Sequence, residues 1–264
     1  MNPKLEIQDV PISGHAQHIV LRHYRPTFEK RMLPIILYFH GGGFTDGDLD
    51  EAHQQASALA EATPAWVISV GYSLAPSHPF PAATEDAYLA LAWAVDNARH
   101  FKADARRVAV AGHEAGGNIA NGLAAMCRDR SRGPRDATVG ALALVAPLLD
   151  PSLTRIATAS GTDAMHLDAV AAARRYRQWL PRSALLVHPY AAPLESCRLG
   201  GMPPTLIVTA GNDPFRVEGE SYAGKLIAAG VRTEATRHHG MCHRDLIRHP
   251  QAVDEVADFF RRLL

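Results

Sequence analysis

Between Val108 and Asn118 the chain runs from a β-branched stretch straight into Gly112-His113-Glu114-Ala115-Gly116. Two glycines four apart around a single tip residue describe a sharp strand-to-helix turn. Backbone crowds so closely at the two flanking positions that a Cβ is hard to place. The residue at the tip is held in a strained conformation, with its side chain raised above the end of a sheet. Such a turn requires a strand, a helix and a sheet covered by helices, which restricts the chain to α/β architectures. The residue at the tip here is a glutamate.

The rest of the sequence agrees with that restriction. Short β-branched runs alternate with longer amphipathic ones, the pattern of a largely parallel sheet flanked by helices. Strands are expected at 17–23, 34–39, 65–71, 106–111, 139–146, 204–210 and 231–237. Ile35-Ile36-Leu37, Val67-Ile68-Ser69-Val70, Val108-Ala109-Val110 and Leu206-Ile207-Val208 suit strands buried on both faces. Helices are expected at 50–62, 83–98, 115–129, 164–179, 217–229 and 250–263. In the last of these, Val253, Val256, Phe259, Phe260 and Leu263 recur at helical spacing. The alternation fails only between the strand ending near Ala146 and the one starting near Pro204. That stretch is rich in Pro, Ser and Arg and holds one convincing helix, as a lid or binding-loop insertion would.

Three further strings carry chemistry. Strand 34–39 runs into His40-Gly41-Gly42-Gly43-Phe44, where consecutive glycines let backbone N–H groups converge on an anion. Asp213 follows strand 204–210 directly, fixed by Pro214 and placed to orient a base. His243 follows strand 231–237, in His238-His239-Gly240-Met241-Cys242-His243. All of these lie at the carboxyl ends of strands, where ligands bind in open α/β sheets. Their chain order is elbow, acid, histidine, as in hydrolases with an elbow nucleophile.

With these strings in place, the chain resembles the hormone-sensitive-lipase-like branch of carboxylesterases over nearly its whole length. The matching segments are His40 to Phe44, Tyr72-Ser73-Leu74-Ala75-Pro76, Pro79-Phe80-Pro81-Ala82 and Glu85-Asp86-Ala87. They continue through Gly112 to Asn118, Pro203-Pro204, Asp213-Pro214, Gly219-Glu220 and Gly240-Met241-Cys242-His243. The resemblance implies an α/β-hydrolase fold, a single domain over residues 1–264. Its mostly parallel sheet would have about eight strands, with a lid or cap insertion near 150–200. It implies hydrolysis of small esters without a cofactor. By position, the family's nucleophile falls on Glu114, its acid on Asp213 and its general base on His243. The oxyanion donors fall on the N–H groups of Gly41, Gly42 and Ala115.

The departures surround the same site. Besides Glu114, the family's Asp-Tyr-Arg string reads Gly71-Tyr72-Ser73, and Arg244-Asp245 replace the glycine and aromatic that usually follow the histidine. Val217 stands where an acidic residue is usual. Only 39 residues precede His40, so the amino-terminal cap segment reads as shortened. A serine at 114 would be activated by His243, whereas a carboxylate is a poor nucleophile toward an ester and would leave a reactive anhydride. Three readings follow: a hydrolase acting on a small ester or related substrate, with Glu114 as nucleophile or base; a non-hydrolytic relative that binds a small ligand; and a lyase or isomerase using Glu114 as proton acceptor. The oxyanion donors also offer Glu114 itself an anion site, which would plug the pocket.

Composition excludes more than it suggests. Lys plus Arg and Asp plus Glu are each 27, which gives no footprint for nucleic acid or a membrane surface. Val139 to Leu149, the most apolar stretch, is too short to span a bilayer. Three cysteines are too scattered for a disulfide framework, and a cytoplasmic protein is expected. Fourteen histidines lack companion ligands at a metal-binding spacing, so no metal is expected. His113 is expected in a buried or rim position beneath the elbow. The last strand, 231–237, could pair edge to edge in a homodimer.

Overall fold

The computed structural model describes residues 5–27, 29, 31–131, 137–156 and 169–264. An eight-stranded sheet runs through it in the order β1-β2-β4-β3-β5-β6-β7-β8. The strands are β1 Leu5–Ser13, β2 His18–Pro26, β3 Leu33–Phe39, β4 Trp66–Gly71, β5 Ala103–His113, β6 Ala141–Val145, β7 Thr205–Ala210 and β8 Thr233–His238. β1 and β2 form an antiparallel hairpin, β2 runs antiparallel to β4, and all remaining pairs are parallel. This is the α/β-hydrolase fold expected from the sequence.

The helices are α1 His53–Ala62, α2 Ala82–Asn97, α3 Ala115–Arg130, α4 Ala169–Trp179, α5 Arg216–Ala228, α6 His243–Arg248 and α7 Pro250–Arg261. Strand alternation divides the interior into two cores. Ile35, Leu37 and Phe39 join α2, α3 and α5 on one face, while Ile36 and Tyr38 join α1 and α7 on the other. Both faces of β3 are therefore buried along its length, as its apolar run requires.

Two elements escaped the sequence reading. β1 is an edge strand with mostly exposed residues, so Glu6, Gln8 and Asp9 replace the apolar run that marks a buried strand. α6 has six residues, too few to display a helical period. Conversely, β5 is longer than expected at both ends and delivers His113 to the turn. The expected helix at 164–179 is observed from Ala169; 164–168 lie outside the described residues.

Between β6 and β7, α4 leans back over the glycine loop. The Phe44 ring stacks on Trp179 with centroids 3.8 Å apart, and Tyr176 lies 5.3 Å from Phe44. Phe80 meets Trp179 edge-on at 5.7 Å, and its N–H donates to the Trp179 carbonyl at 2.9 Å. Burying aromatic rings of this size contributes several kcal/mol in all, roughly 1.5–3 kcal/mol for each apolar side chain. That energy anchors α4 beside the carboxyl ends of β3 and β5.

Candidate active site

The turn between β5 and α3 has the geometry its glycines require. Glu114 at the tip has φ +53° and ψ −119°, the strained conformation of a sharp strand-to-helix turn. A Cβ on Gly112 would meet the backbone of Gly116, and one on Gly116 would meet the carbonyls of Phe39 and His40. The tip is tied on both sides: Glu114 N–H donates to Val145 at 3.0 Å, and its carbonyl accepts from Gly117 at 3.1 Å and Leu148 at 3.1 Å.

The Glu114 side chain is 6% exposed and turns toward the glycine loop rather than into open space. Its Oε2 accepts the N–H of Gly42 in a short hydrogen bond and that of Gly43 at 3.2 Å. One carboxylate oxygen thus fills the anion site built by the loop. The third candidate donor, Ala115, occupies the first position of α3, where an N–H has no acceptor within its own helix.

Gly41 does not belong to this set, which corrects the sequence expectation. Its N–H donates to His113 Nε2 at 2.8 Å, so it is turned away from Glu114. Gly43 supplies the second amide instead. Because a backbone N–H can only donate, His113 Nε2 must be the acceptor and its proton must sit on Nδ1. Nδ1–H then donates to the Tyr38 hydroxyl oxygen at 2.8 Å. Burial pushes the His113 pKa down to about 3, with further contributions from His40 and His243. The ring is therefore a neutral strut between β3 and the glycine loop.

The loop has a second brace. The Tyr72 hydroxyl donates to the His40 carbonyl at 2.8 Å and to that of Gly41 at 3.2 Å, while its ring stacks on His40 at 4.3 Å. Gly71-Tyr72-Ser73, a departure at the sequence level, thus keeps the tyrosine that holds the loop.

Asp213 and His243 meet at the carboxyl ends of β7 and β8. His243 Nδ1 lies 2.7 Å from Asp213 Oδ2, and Asp213 Oδ1 accepts the Phe215 N–H at 2.8 Å. The two loops are clamped together, since Asn212 N–H donates to the Met241 carbonyl at 2.9 Å and Gly211 N–H to that of His238 at 2.8 Å. Burial alone would lower the His243 pKa, but the Asp213 carboxylate outweighs it, Glu114 adds to the effect, and the net shift is upward. His243 Nε2 is buried and has no hydrogen-bond partner among the described residues.

Above these groups lies a cavity of about 440 Å³, bounded by Asp46, Glu114, Arg175, His243, Arg244 and Arg248 among others. Arg175 of α4 reaches across to Asp46 at 3.0 Å. Among the described residues no cluster of His, Cys, Asp and Glu could hold a metal ion, and no helix is long and apolar enough to cross a membrane.

One supporting residue went unread in the sequence. Glu218 of α5 is fully buried, and its Oε2 accepts the N–H groups of Leu149 at 2.7 Å and Asp150 at 2.9 Å. It fixes the turn whose Leu148 N–H holds the Glu114 carbonyl. Burial, partly offset by those two amides, raises its pKa to about 8. An acidic residue on the buried face of a helix was the available signal.

A strained turn at the end of the fifth strand, an amide-lined anion site and an acid–histidine pair define an α/β-hydrolase site. Comparison with known proteins agrees: residues 36–246 match a family described as alpha/beta hydrolase fold, and the chain belongs to that family. Esterase LipI of Mycobacterium tuberculosis is 37% identical over 92% of this chain and 76% of its own length. Carboxylesterase NlhH of the same organism is also 37% identical, over 91% of this chain and 76% of its own. Among solved structures, EstE1, a thermostable carboxylesterase cloned from a metagenomic library, superposes with a TM-score of 0.90. It is 35% identical and covers all of this chain and 91% of its own.

Proposed function

We propose that this protein binds a small molecule in the cavity above Glu114 and does not run the acyl-enzyme reaction expected of an esterase of its family. The observation that carries this reading is the hydrogen bonding of Glu114 Oε2 to the Gly42 and Gly43 amides. Those amides are the groups that would hold the oxygen of an ester carbonyl as it becomes an oxyanion. With a carboxylate already there, an incoming carbonyl oxygen finds the donors taken and a negative charge beside it. Glu114 also has no proton for His243 to remove, so the step that makes a serine nucleophilic has no counterpart.

Both losses are large. Loss of a serine nucleophile can cost on the order of a million-fold in turnover, and loss of one oxyanion donor about a hundred- to a thousand-fold. The test is hydrolysis of p-nitrophenyl acetate and butyrate by the wild type, His243→Ala and Glu114→Ser. The wild type should match His243→Ala, while Glu114→Ser, which empties the anion site and restores a hydroxyl beside His243, should gain activity. Wild-type turnover that His243→Ala abolishes would overturn the reading.

A second reading has one observation in its favour. His243 keeps its bond to Asp213 and a buried, unpartnered Nε2, the arrangement of a base able to activate water. An epoxide has no carbonyl oxygen to seat among the loop amides and could use it: the activated water opens the ring as its proton passes to His243, and the ring oxygen takes a proton from solvent. His243-dependent turnover of epoxides with no ester hydrolysis would select this alternative.

A further inference from the structure

A second, smaller space adjoins the cavity. Beneath it, between α1 and α7, lies an apolar chamber of about 20 Å³ whose walls include Leu59, Val145, Val253 and Val256. Gln55, His113 and Ile247 border both spaces, so the chamber and the site lie on either side of these three side chains. A space of roughly 10–15 Å³ on this measure accommodates one water-sized group, so the chamber has room for a methyl or ethyl end and no more.

Of the two polar residues at that border, His113 has both ring nitrogens bonded and Gln55 does not have all its polar atoms paired. Gln55 is 7% exposed, yet its Oε1 is buried without a hydrogen-bond partner among the described residues. Its neighbours on the buried face of α1 are Ala56, Leu59 and Ala60, which offer no side-chain donor. A buried amide oxygen left unpaired has lost its hydration without a replacement hydrogen bond. A ligand donor placed at that border would supply one.

The outer wall is charged. Arg244 and Arg248 are four apart on α6, one helical turn, and both are exposed. Neither has an ion-pair partner among the described residues. Of the acidic groups facing them, Asp46 is paired with Arg175 and Glu114 is held by two amides. Glu51 and Glu114 also border the cavity, but neither forms an ion pair with Arg244 or Arg248, so the mouth presents two neighbouring guanidinium groups with no carboxylate in contact among the described residues.

We infer that the cavity selects a small anionic molecule. Its carboxylate sits on Arg244 and Arg248, a hydrogen-bonding group sits at Gln55, and an apolar end of one or two carbons enters the inner chamber. This deepens the proposed function and rests on it. Arginine suits the role, because its planar guanidinium meets a carboxylate through paired hydrogen bonds.

Monomethyl succinate and dimethyl succinate differ in one negative charge and serve as a matched pair of probes. Their affinities are to be measured by NMR titration at low salt, following the His243 ring signals, in the wild type and in Arg244→Ala/Arg248→Ala. Both arginines are exposed, so the double variant should fold, which its thermal melt checks. The wild type should prefer the monoester about tenfold or more, as charge-assisted hydrogen bonds at a cavity mouth can supply. The double variant should lose that preference while its affinity for the diester stays unchanged. Equal affinities in the wild type, or a preference that survives in the double variant, would overturn the anionic selectivity and leave the cavity as the ligand site. If neither ester moves the His243 signals, the cavity is not the binding site, and the proposed function falls together with this inference.

Discussion

Acid should unlock the glycine loop through His113, by an amount that follows from the geometry. The ring accepts the Gly41 N–H on Nε2 and donates to Tyr38 from Nδ1, so protonating Nε2 breaks the bond to the loop. The folded-state pKa of about 3 stands against an ordinary value of 6.5. Because the folded value is the lower one, the unfolded chain binds the extra proton, and stability is lost as pH falls from about 6.5 toward 3. Integrated from pH 7 down to pH 4, this one group withdraws about 3 kcal/mol. The ring keeps some contact with the cavity, and a working threshold of about 2 kcal/mol allows for it. The assay is urea unfolding of the wild type and His113→Gln at both pH values. Glutamine cannot be protonated, and losses independent of pH cancel in the double difference, as do the contributions of every other titrating group. The wild type should lose about 2–3 kcal/mol more than the variant over that interval. A double difference below about 1 kcal/mol would refute the neutral-strut role.

Glu218 should produce the opposite slope. Its pKa is raised to about 8, so its contribution is complete at low pH and is lost as pH rises through about 4.5 to 8; Glu218→Gln should flatten that alkaline decline in the same unfolding assay. At the site, Glu114→Gln removes a charge that favours the His243 imidazolium, so the His243 pKa measured by NMR should fall, and Asp213→Asn should lower it further. An unchanged His243 titration in Glu114→Gln would mean that the two side chains do not communicate. Gly116→Ala drives a Cβ into the Phe39 and His40 carbonyls, so a loss of about 3 kcal/mol or more in thermal or urea unfolding is expected, with the anion site distorted at the same time.

The parts of this architecture that depend on local rules were legible in the sequence. β3, β4 and β7 announced themselves because strands buried on both faces need unbroken apolar runs. Gly112 and Gly116 announced the turn because the backbone leaves no room for a Cβ. The parts that depend on how distant segments meet were not legible. Which glycine amides face Glu114 is decided by His113 capturing the Gly41 N–H, a bond across 72 positions that spacing alone cannot rank. Gln55 and Glu218 looked like ordinary helix residues. Their significance lies in which atoms they face or fail to face, and only the packed structure supplies that.

The same contacts explain how the fold accommodates a charge at its most constrained point. A carboxylate raised on a strained turn inside a largely closed site would ordinarily be costly to desolvate. Here the loop already presents converging amides, and the α3 amino terminus lies directly behind the turn, so the charge enters an environment arranged for an anion. His243 faces the same space with its proton affinity raised. The features that would stabilise a fleeting oxyanion in an esterase stabilise Glu114 permanently in this chain. Under the proposed function, stability of the carboxylate and suppression of ester hydrolysis have one physical origin, and Glu114→Ser should move both at once: the anion site empties, its amides lose their partner, and the route to an acyl-enzyme opens.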